Sequence, residues 1–506
     1  MATRNREQRT GAAAQPQARA KAELSNRGAF LPRLLLAPAD IAGLVFFRIA
    51  LGVLLLIEMG RFLVNGWVIY DFVTPPYHFT YYGFSWVKPL PAAGMVALFV
   101  VLAACAILIA LGLKYRLACV VFCVGFSYAF LIERSLYLNH FYLICLWTGL
   151  MAFVPANRAF SLDARLTPGI ASQTVPSWSL WLLRFQIAIP YFYGGLAKLN
   201  GDWLYGQPLQ MWMGRMDGLK AVFPAFGEPW LAVLFSWCGL LLDLFVVPLL
   251  IWRPTRPYAF AAAICFHLMN SLMWRIGIFP WFMIAATTLY LEPDWPRRLL
   301  AWLAPGLRER LQPPPETAHS TPDHLSGRNK LFMATFAVFA AFQLLFPLRH
   351  FLYPGNVDWT EEGSQFAWRM MLNDKTAAIQ FFAVDPSTGA QSGIDIRPYL
   401  TRRQLNKMSQ DPAMIRDFAE FLASELEREK GKRYEVHALA YCTLNGRLPQ
   451  LLVDPRVDLS RQPRSWKPAS WIVPLEQPRQ ERAFELPPGE WARFLQPSAG
   501  AVPQSP

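Results

Sequence analysis

The sequence predicts an all-α polytopic membrane bundle of about nine transmembrane helices, followed by a small extracytoplasmic α+β or β-rich domain. Three observations carry this. Of 506 residues, 54% are hydrophobic and only 16% are charged, where a soluble domain carries about 25% charged. Apolar runs near the ~20 residues needed to cross a ~30 Å hydrocarbon core recur through the first two thirds. Beyond residue 350 the pattern changes to alternation, turn signals and mixed charge. The 19 Trp and 37 Phe exclude a disordered chain. The length, with only seven cysteines, excludes a small disulfide-stapled module.

Residues 1–40 read as a basic cytoplasmic tail, with Arg4, Arg6, Arg9, Arg19, Lys21, Arg27 and Arg33 against Glu7 and Glu23. The tail is too long and polar before Leu34 for a cleavable signal peptide. Residues 41–292 form the main transmembrane domain, with apolar runs near 41–63, 92–113, 117–134, 140–155, 179–199, 230–251, 257–275 and 278–291. Residues 293–330 are a cytoplasmic linker, Pro-rich over 304–326, and 331–350 is the last span. Basic residues fall in alternate gaps: Lys114 and Arg116, Arg158 and Arg165, Arg253 and Arg256, then Arg297, Arg298, Arg308, Arg310, Arg328 and Lys330. The positive-inside rule makes these gaps cytoplasmic, and an odd span count then puts residues 351–480 outside. The +13 net charge is thus read as loop and anionic-lipid contact, with no nucleic-acid partner, since no binding motif accompanies it.

Residues 64–91, with Trp67, Tyr77, Phe79, Tyr81, Tyr82 and Trp86, are expected to be an interfacial aromatic belt. In the outer domain, 377–396 reads as strand, turn, strand, and 400–428 has helical periodicity. Residues 434–453 alternate about Asn445-Gly446, a hairpin signal. Residues 481–506 are expected to be a largely disordered tail.

Ionisable groups inside apolar runs are expensive and mark cavities or partners. They are Arg48, His140, Arg184, Lys198, Asp243, His267 and Arg275. Lys198 follows Gly194-Gly195, which permit close approach of a helix or ligand. It could snorkel, or pair with Asp202 a turn later; desolvation would favour a neutral amine able to act as a base. Arg184 shares its helix face but lies about 21 Å away along the axis. Asn139-His140 reads as a helix cap or a ligand contact. His267, Asn270 and Ser271 form a polar stripe, and Asp243 reads as neutralising an intramembrane arginine. No HExxH, Walker loop, GxSxG or metal-spaced His/Cys cluster occurs, so no metal is expected.

Several stretches together resemble the vitamin K-dependent γ-glutamyl carboxylase family. They are Lys114-Tyr-Arg116, Leu138-Asn-His140, and Tyr191-Phe-x-x-Gly195-x-x-Lys198-Leu-x-x-Asp202-Trp203-x-x-Gly206. Gly239-Leu-Leu-Leu-Asp243, Phe266-His-x-Met-Asn-Ser271 with Ile276-Gly-x-Phe279, and Glu292-Pro-x-Trp-Pro-Arg297 follow. The outer part adds Trp359-Thr360, Trp368-x-Met-Met371, Asp454-Pro-Arg-Val-Asp458 and Ser470-Trp471. They keep the family's order over roughly residues 40–475, and the membrane part carries the wider label of HTTM domain.

The resemblance implies carboxylation of a protein glutamate to γ-carboxyglutamate. The reaction would be coupled to epoxidation of reduced vitamin K (phylloquinol or menaquinol) and would use O2 and CO2. It places the base at Lys198 and a catalytic histidine at His140. Asn139, His267, Asn270, Arg184, Asp202, Trp368 and Met371 become substrate- or quinone-binding candidates. The partners expected are the lipid bilayer, the quinol and a Glu-containing protein or peptide on the outer side. The animal enzymes continue well past the Ser470-Trp471 motif, so propeptide-directed recognition is not expected here, and the chain looks like a bacterial, inner-membrane member with its last domain periplasmic. Two readings remain open at this point: a quinol-oxidising membrane enzyme without carboxylation, and a non-enzymatic transporter or scaffold.

Overall fold

A computed structural model describes residues 35–274, 276–307, 327–480, 483–485 and 490–491. The basic tail up to residue 34, Arg275, most of the Pro-rich linker and most of the C-terminal tail lie outside the described residues.

The bundle is built from α1 (Ala42–Val64), a short α2 (Trp67–Phe72), α3 (Ala92–Leu111), α4 (Tyr115–Ile132) and α5 (Asn139–Phe153). It continues with α6 (Trp178–Lys198), α7 (Pro229–Ile251), α8 (Arg256–Met273), α9 (Phe279–Thr287), α10 (Trp295–Leu303) and α11 (Gly327–Leu345). Five described helical segments are long and apolar enough to cross a membrane: Ala42–Val64, Ala92–Leu111, Tyr115–Ile132, Pro229–Ile251 and Leu331–Leu352. The expected count of nine is not reached. The other four segments are helical but fall short. α5 has 15 residues and α9 has 9, or about 22 and 14 Å at 1.5 Å per residue. The 21-residue α6 and 18-residue α8 are long enough. They are diluted by Arg184, Gln186 and Lys198 in one and by Arg256, His267 and Asn270 in the other.

Basic connections collect at one end of this bundle. Arg297 pairs with Asp40 at 3.0 Å and Arg256 with Glu292 at 2.8 Å. Asp163 accepts from the Lys114 backbone N–H at 2.8 Å. Arg48, fully buried, donates to the carbonyls of Ala156 at 2.8 Å and Phe160 at 2.6 Å. Those bonds satisfy a charge that would otherwise be costly in an apolar core.

The surface domain sits at the opposite end. Its antiparallel sheet comprises β1 (Lys375–Val384), β2 (Gln391–Ile394), β3 (Glu435–Leu444) and β4 (Gln450–Leu451), in the order β2-β1-β3-β4. Phe381 faces Ile394 on one side and Ala438 on the other. The helical stretch expected over 400–428 is two helices, α12 (Arg402–Met408) and α13 (Pro412–Lys430). Proline is favoured at the first helical position, where its missing N–H costs no helical hydrogen bond. Pro412 therefore opens α13, with the Asp411 side chain accepting the Met414 N–H. Met414, Ile415, Phe418, Ala419 and Leu422 bury one face of α13 in a core shared with Phe381, Val436 and Ala438.

The loop 64–91 is not an interfacial belt throughout. Phe79 is fully buried in the surface-domain core and Tyr77 packs on Phe418 and Phe421. Phe79 and Tyr77 dock one domain on the other, whereas Tyr70 near the start of the loop and Trp86 at its far end, at 73% exposure, face outward.

Candidate functional site

A cavity of about 580 Å³ opens between the bundle and the surface domain. Its inner walls come from α5, α6, α7 and α8, and its outer end from the segment 358–373 and α12.

Lys198, the last residue of α6, is 5% exposed. Its Nζ donates to Asp243 Oδ2 on α7 at 2.5 Å and weakly to Gly194 O at 3.3 Å. The ammonium stands 5.2 Å from the centre of the Trp203 ring, a cation–π distance. The two glycines permit this meeting. A Cβ on Gly194 would stand 3.2 Å from Asp243 Oδ2, and one on Gly195 would stand 2.7 Å from the Leu244 side chain. The expectation that Asp243 neutralises an arginine gives way to an aspartate bound to the lysine. Asp202 does not follow Lys198 on one helix, because α6 ends there and Asn200 Oδ1 starts a new turn by accepting the Trp203 N–H.

His267 on α8 is buried, and its Nε2 lies 2.7 Å from the Tyr191 hydroxyl. Tyr191 lies 3.3 Å from Thr287 Oγ1, which donates to Met283 O. His267 Nδ1 has no hydrogen-bond partner among the described residues. His140, at the start of α5, lines the same cavity with its ring against Phe141 and Phe279.

Asn139 is structural as well as cavity-lining. Its Nδ2 donates to Arg369 O at 3.0 Å and its Oδ1 accepts from the Tyr137 hydroxyl at 2.9 Å. This ties the segment 361–371 over the cavity. Glu361, Phe366, Trp368 and Met371 in that segment all have positive φ, a conformation costly for residues other than glycine and concentrated at functional sites. Glu361 pairs with Lys375 at 2.8 Å. Burial alone would raise its pKa, but Lys375 and Lys407 outweigh burial and hold the carboxyl down at about 2. Asp71, buried beside Arg403 at 2.6 Å, is pushed up to about 6 by desolvation, partly opposed by that arginine.

Among the expected site residues, Lys198, His140, Asn139, His267, Asn270 and Met371 line one cavity. Three do not. Arg184 donates to Leu289 O at 2.8 Å and lies over the Trp181 ring. Asp202 is held by both terminal nitrogens of Arg447 at 2.7 Å and by Asn445. Trp368 is buried against Tyr142. Asp243, singled out in the sequence but given another partner, also lines the cavity, as do residues that sequence reasoning missed: Tyr191 and the outer cations Arg61, Arg369, Arg403 and Lys407. Tyr191 stood within the quoted motif, but nothing local marked its hydroxyl. Among the described residues, no group of three His, Cys, Asp or Glu is arranged to hold a metal.

A helical domain with membrane-spanning segments, joined across a cavity to an α+β surface domain, defines an integral membrane protein. Residues 36–295, just over half the chain, match the HTTM domain family. Residues 328–478 match the family described as vitamin K-dependent gamma-carboxylase, lumenal domain. The chain belongs to the vitamin K-dependent gamma-carboxylase family. No solved structure matches it.

Proposed function

We propose that this protein is a multi-pass membrane carboxylase that converts a glutamate of a protein or peptide to γ-carboxyglutamate. Its surface domain would lie on the extracytoplasmic side, periplasmic in a bacterium or lumenal in the endoplasmic reticulum. Reduced vitamin K, phylloquinol or menaquinol, supplies with O2 the strong base that the reaction needs, and CO2 is the carbon added. The observation that carries the reading is Lys198, a buried amine on the wall of a cavity that meets both domains.

The residues present fit such a group. The volume is within the roughly 300–1,000 Å³ usual for small-ligand sites. Trp203 beside Lys198, with Phe266, Met273 and Trp274, gives the same cavity apolar walls. In this reading Lys198 takes up a quinol-type O–H proton, which a neutral amine can do and an ammonium cannot. The bundle excludes water from that amine. His140, uncommitted to any hydrogen bond among the described residues, orients the acceptor glutamate or meets its developing negative charge. Arg61, Arg369, Arg403 and Lys407 line the outer end beside Glu58, Asp358, Glu361 and Asp411, a mixed set of charges that can offer cationic partners to a peptide carboxylate.

Fixation of labelled CO2 into a Glu-containing peptide tests this, in membranes with reduced vitamin K and O2. Wild type should incorporate label, and Lys198→Ala should lose it while still inserting into the membrane. Lys198-dependent epoxide without label would indicate quinol oxidation uncoupled from carboxylation. Absence of both products would defeat the assignment.

A further inference from the structure

We propose that Asp243 is the internal proton acceptor of Lys198, so that the lysine presents a neutral amine to the cavity without exchanging a proton with bulk water. The inference rests on the reading of Lys198 as the base and deepens it. Nζ and Oδ2 are 2.5 Å apart, and both residues are buried, at 5% and 6% exposure. Lys198 is the one hydrogen-bond partner of the Asp243 carboxylate among the described residues, and Asp243 itself lines the cavity. The ammonium has little else: a carbonyl at 3.3 Å and the Trp203 ring. A buried ion pair holds its charges only when further hydrogen bonds satisfy them. This pair lacks them, and in an apolar wall its neutral form competes with its charged form.

The step is a transfer within the pair. One N–H bond of the Lys198 ammonium breaks and one O–H bond forms on Asp243, leaving –NH2 and –COOH. The pair's net charge stays zero and nothing is oxidised or reduced. The amine fraction is then set by this internal equilibrium and not by pH, as long as the pair holds one exchangeable proton.

On the packed elements the titratable and charged side chains are Arg184, Tyr191, Tyr193, His140, Tyr142, Cys145, Asp202, Arg256, Tyr258, His267 and Tyr290, and Glu58, Arg61, Asp358, Glu361, Arg369, Arg403, Lys407 and Asp411 line the same cavity. Among the described residues none of them hydrogen-bonds to the Lys198 amine or the Asp243 carboxylate. His267 is engaged by Tyr191, Asp202 by Arg447, and Tyr290 donates to Arg184 O. Cys238 and Cys265 are exposed. Helix α9, residues 331–345 of α11 and residues 209–214 contribute no titratable side chain.

The test uses the full chain in membranes without quinol. Lys198 is labelled with an apolar succinimidyl ester, which reacts only with neutral amines, and read by mass spectrometry between pH 6 and 8.5 after correction for reagent hydrolysis. The wild type should label at a nearly constant rate. Asp243→Asn should lose that constancy, its labelling falling about tenfold for each pH unit below a midpoint, because its amine must release a proton to solvent. Asp243→Glu should restore the flat profile. Phylloquinol epoxidation, measured in parallel, should follow the same pH dependence in each variant.

A wild-type labelling rate that itself climbs tenfold per pH unit overturns the proposal, and this needs no variant to fold. So does an Asp243→Asn profile parallel to wild type, which would mark Asp243 as a brace. Undiminished epoxidation in Lys198→Ala would instead reject Lys198 as the base, whatever the labelling shows.

Discussion

An added Cβ at Gly195 would stand 2.7 Å from the Leu244 side chain and 3.0 Å from its backbone nitrogen. Backbone cannot move aside as a flexible side chain can, so Gly195→Ala should push α6 and α7 apart. Overpacking of this kind costs about 1–3 kcal/mol, and here the separation falls next to the Lys198–Asp243 bond. We expect at least a tenfold loss of epoxidation with membrane insertion retained, measured against Gly201→Ala, where an added Cβ meets nothing within 4 Å. At this scale the site was half legible. Lys198 stands out because a charge inside an apolar run is rare and needs a reason. Asp243 stands out for the same reason, but its pairing with Lys198 does not: it is 45 residues away, while Asp202 is near in sequence and looks better placed. Only the break after Lys198, made by the Asn200 cap, turns Asp202 toward Arg447.

The segment 359–371 shows what elements add to residues. Trp359 Nε1 donates to Val473 O at 2.7 Å, and Asn139 holds Arg369 O. Glu361 is bound by Lys375 of β1 at 2.8 Å. The folded-state pKa of Glu361, about 2, lies below the unfolded value of about 4.3. Its contribution is therefore fully present above the unfolded value and is lost as pH falls toward 2. The difference corresponds to roughly 3 kcal/mol. Glu361→Gln should unfold at lower temperature than wild type at pH 7, and the two melting curves should converge as pH approaches 2. A gap unchanged from pH 7 to 2 would mean the pair contributes by packing alone. Elements with one dominant pattern were legible. β1 and β2 flank the turn that Asp385-Pro-Ser-Thr-Gly389 signals, and positive φ at Asn445 and Gly446 makes the second turn. Loop 64–91 misled because an aromatic cluster at a membrane boundary and one that docks a domain have the same composition.

At the scale of the whole molecule, the cavity exists only because two domains meet, and charge secures the meeting. Asp202 from the bundle is held by Asn445 and, through both carboxylate oxygens, by Arg447 on the turn after β3. Arg134 meets Asp417 at 3.2 Å, and Glu133 accepts from Gln404 at 2.8 Å. None of these contacts was legible, since each joins residues more than 240 positions apart and no local period encodes such a pairing. The charge asymmetry was legible: the basic connections gather at the end away from the surface domain, the pattern from which the positive-inside rule predicts that this domain lies outside. The Asp202–Arg447 contact is the most exacting of these joints, because removing one partner of a buried pair strands the other charge at a cost of about 3–5 kcal/mol. Arg447→Ala should therefore loosen the joint without melting either domain. Hydrogen exchange should quicken in residues 444–452 and in 200–206, while the centre of α3 and α4 stays protected. On the proposed function, peptide carboxylation should fall more than quinol labelling of the bundle, because the acceptor glutamate would need both walls of the cavity and the quinol only the apolar one. Uniform quickening of exchange through both domains would show instead that Arg447 supports the fold as a whole.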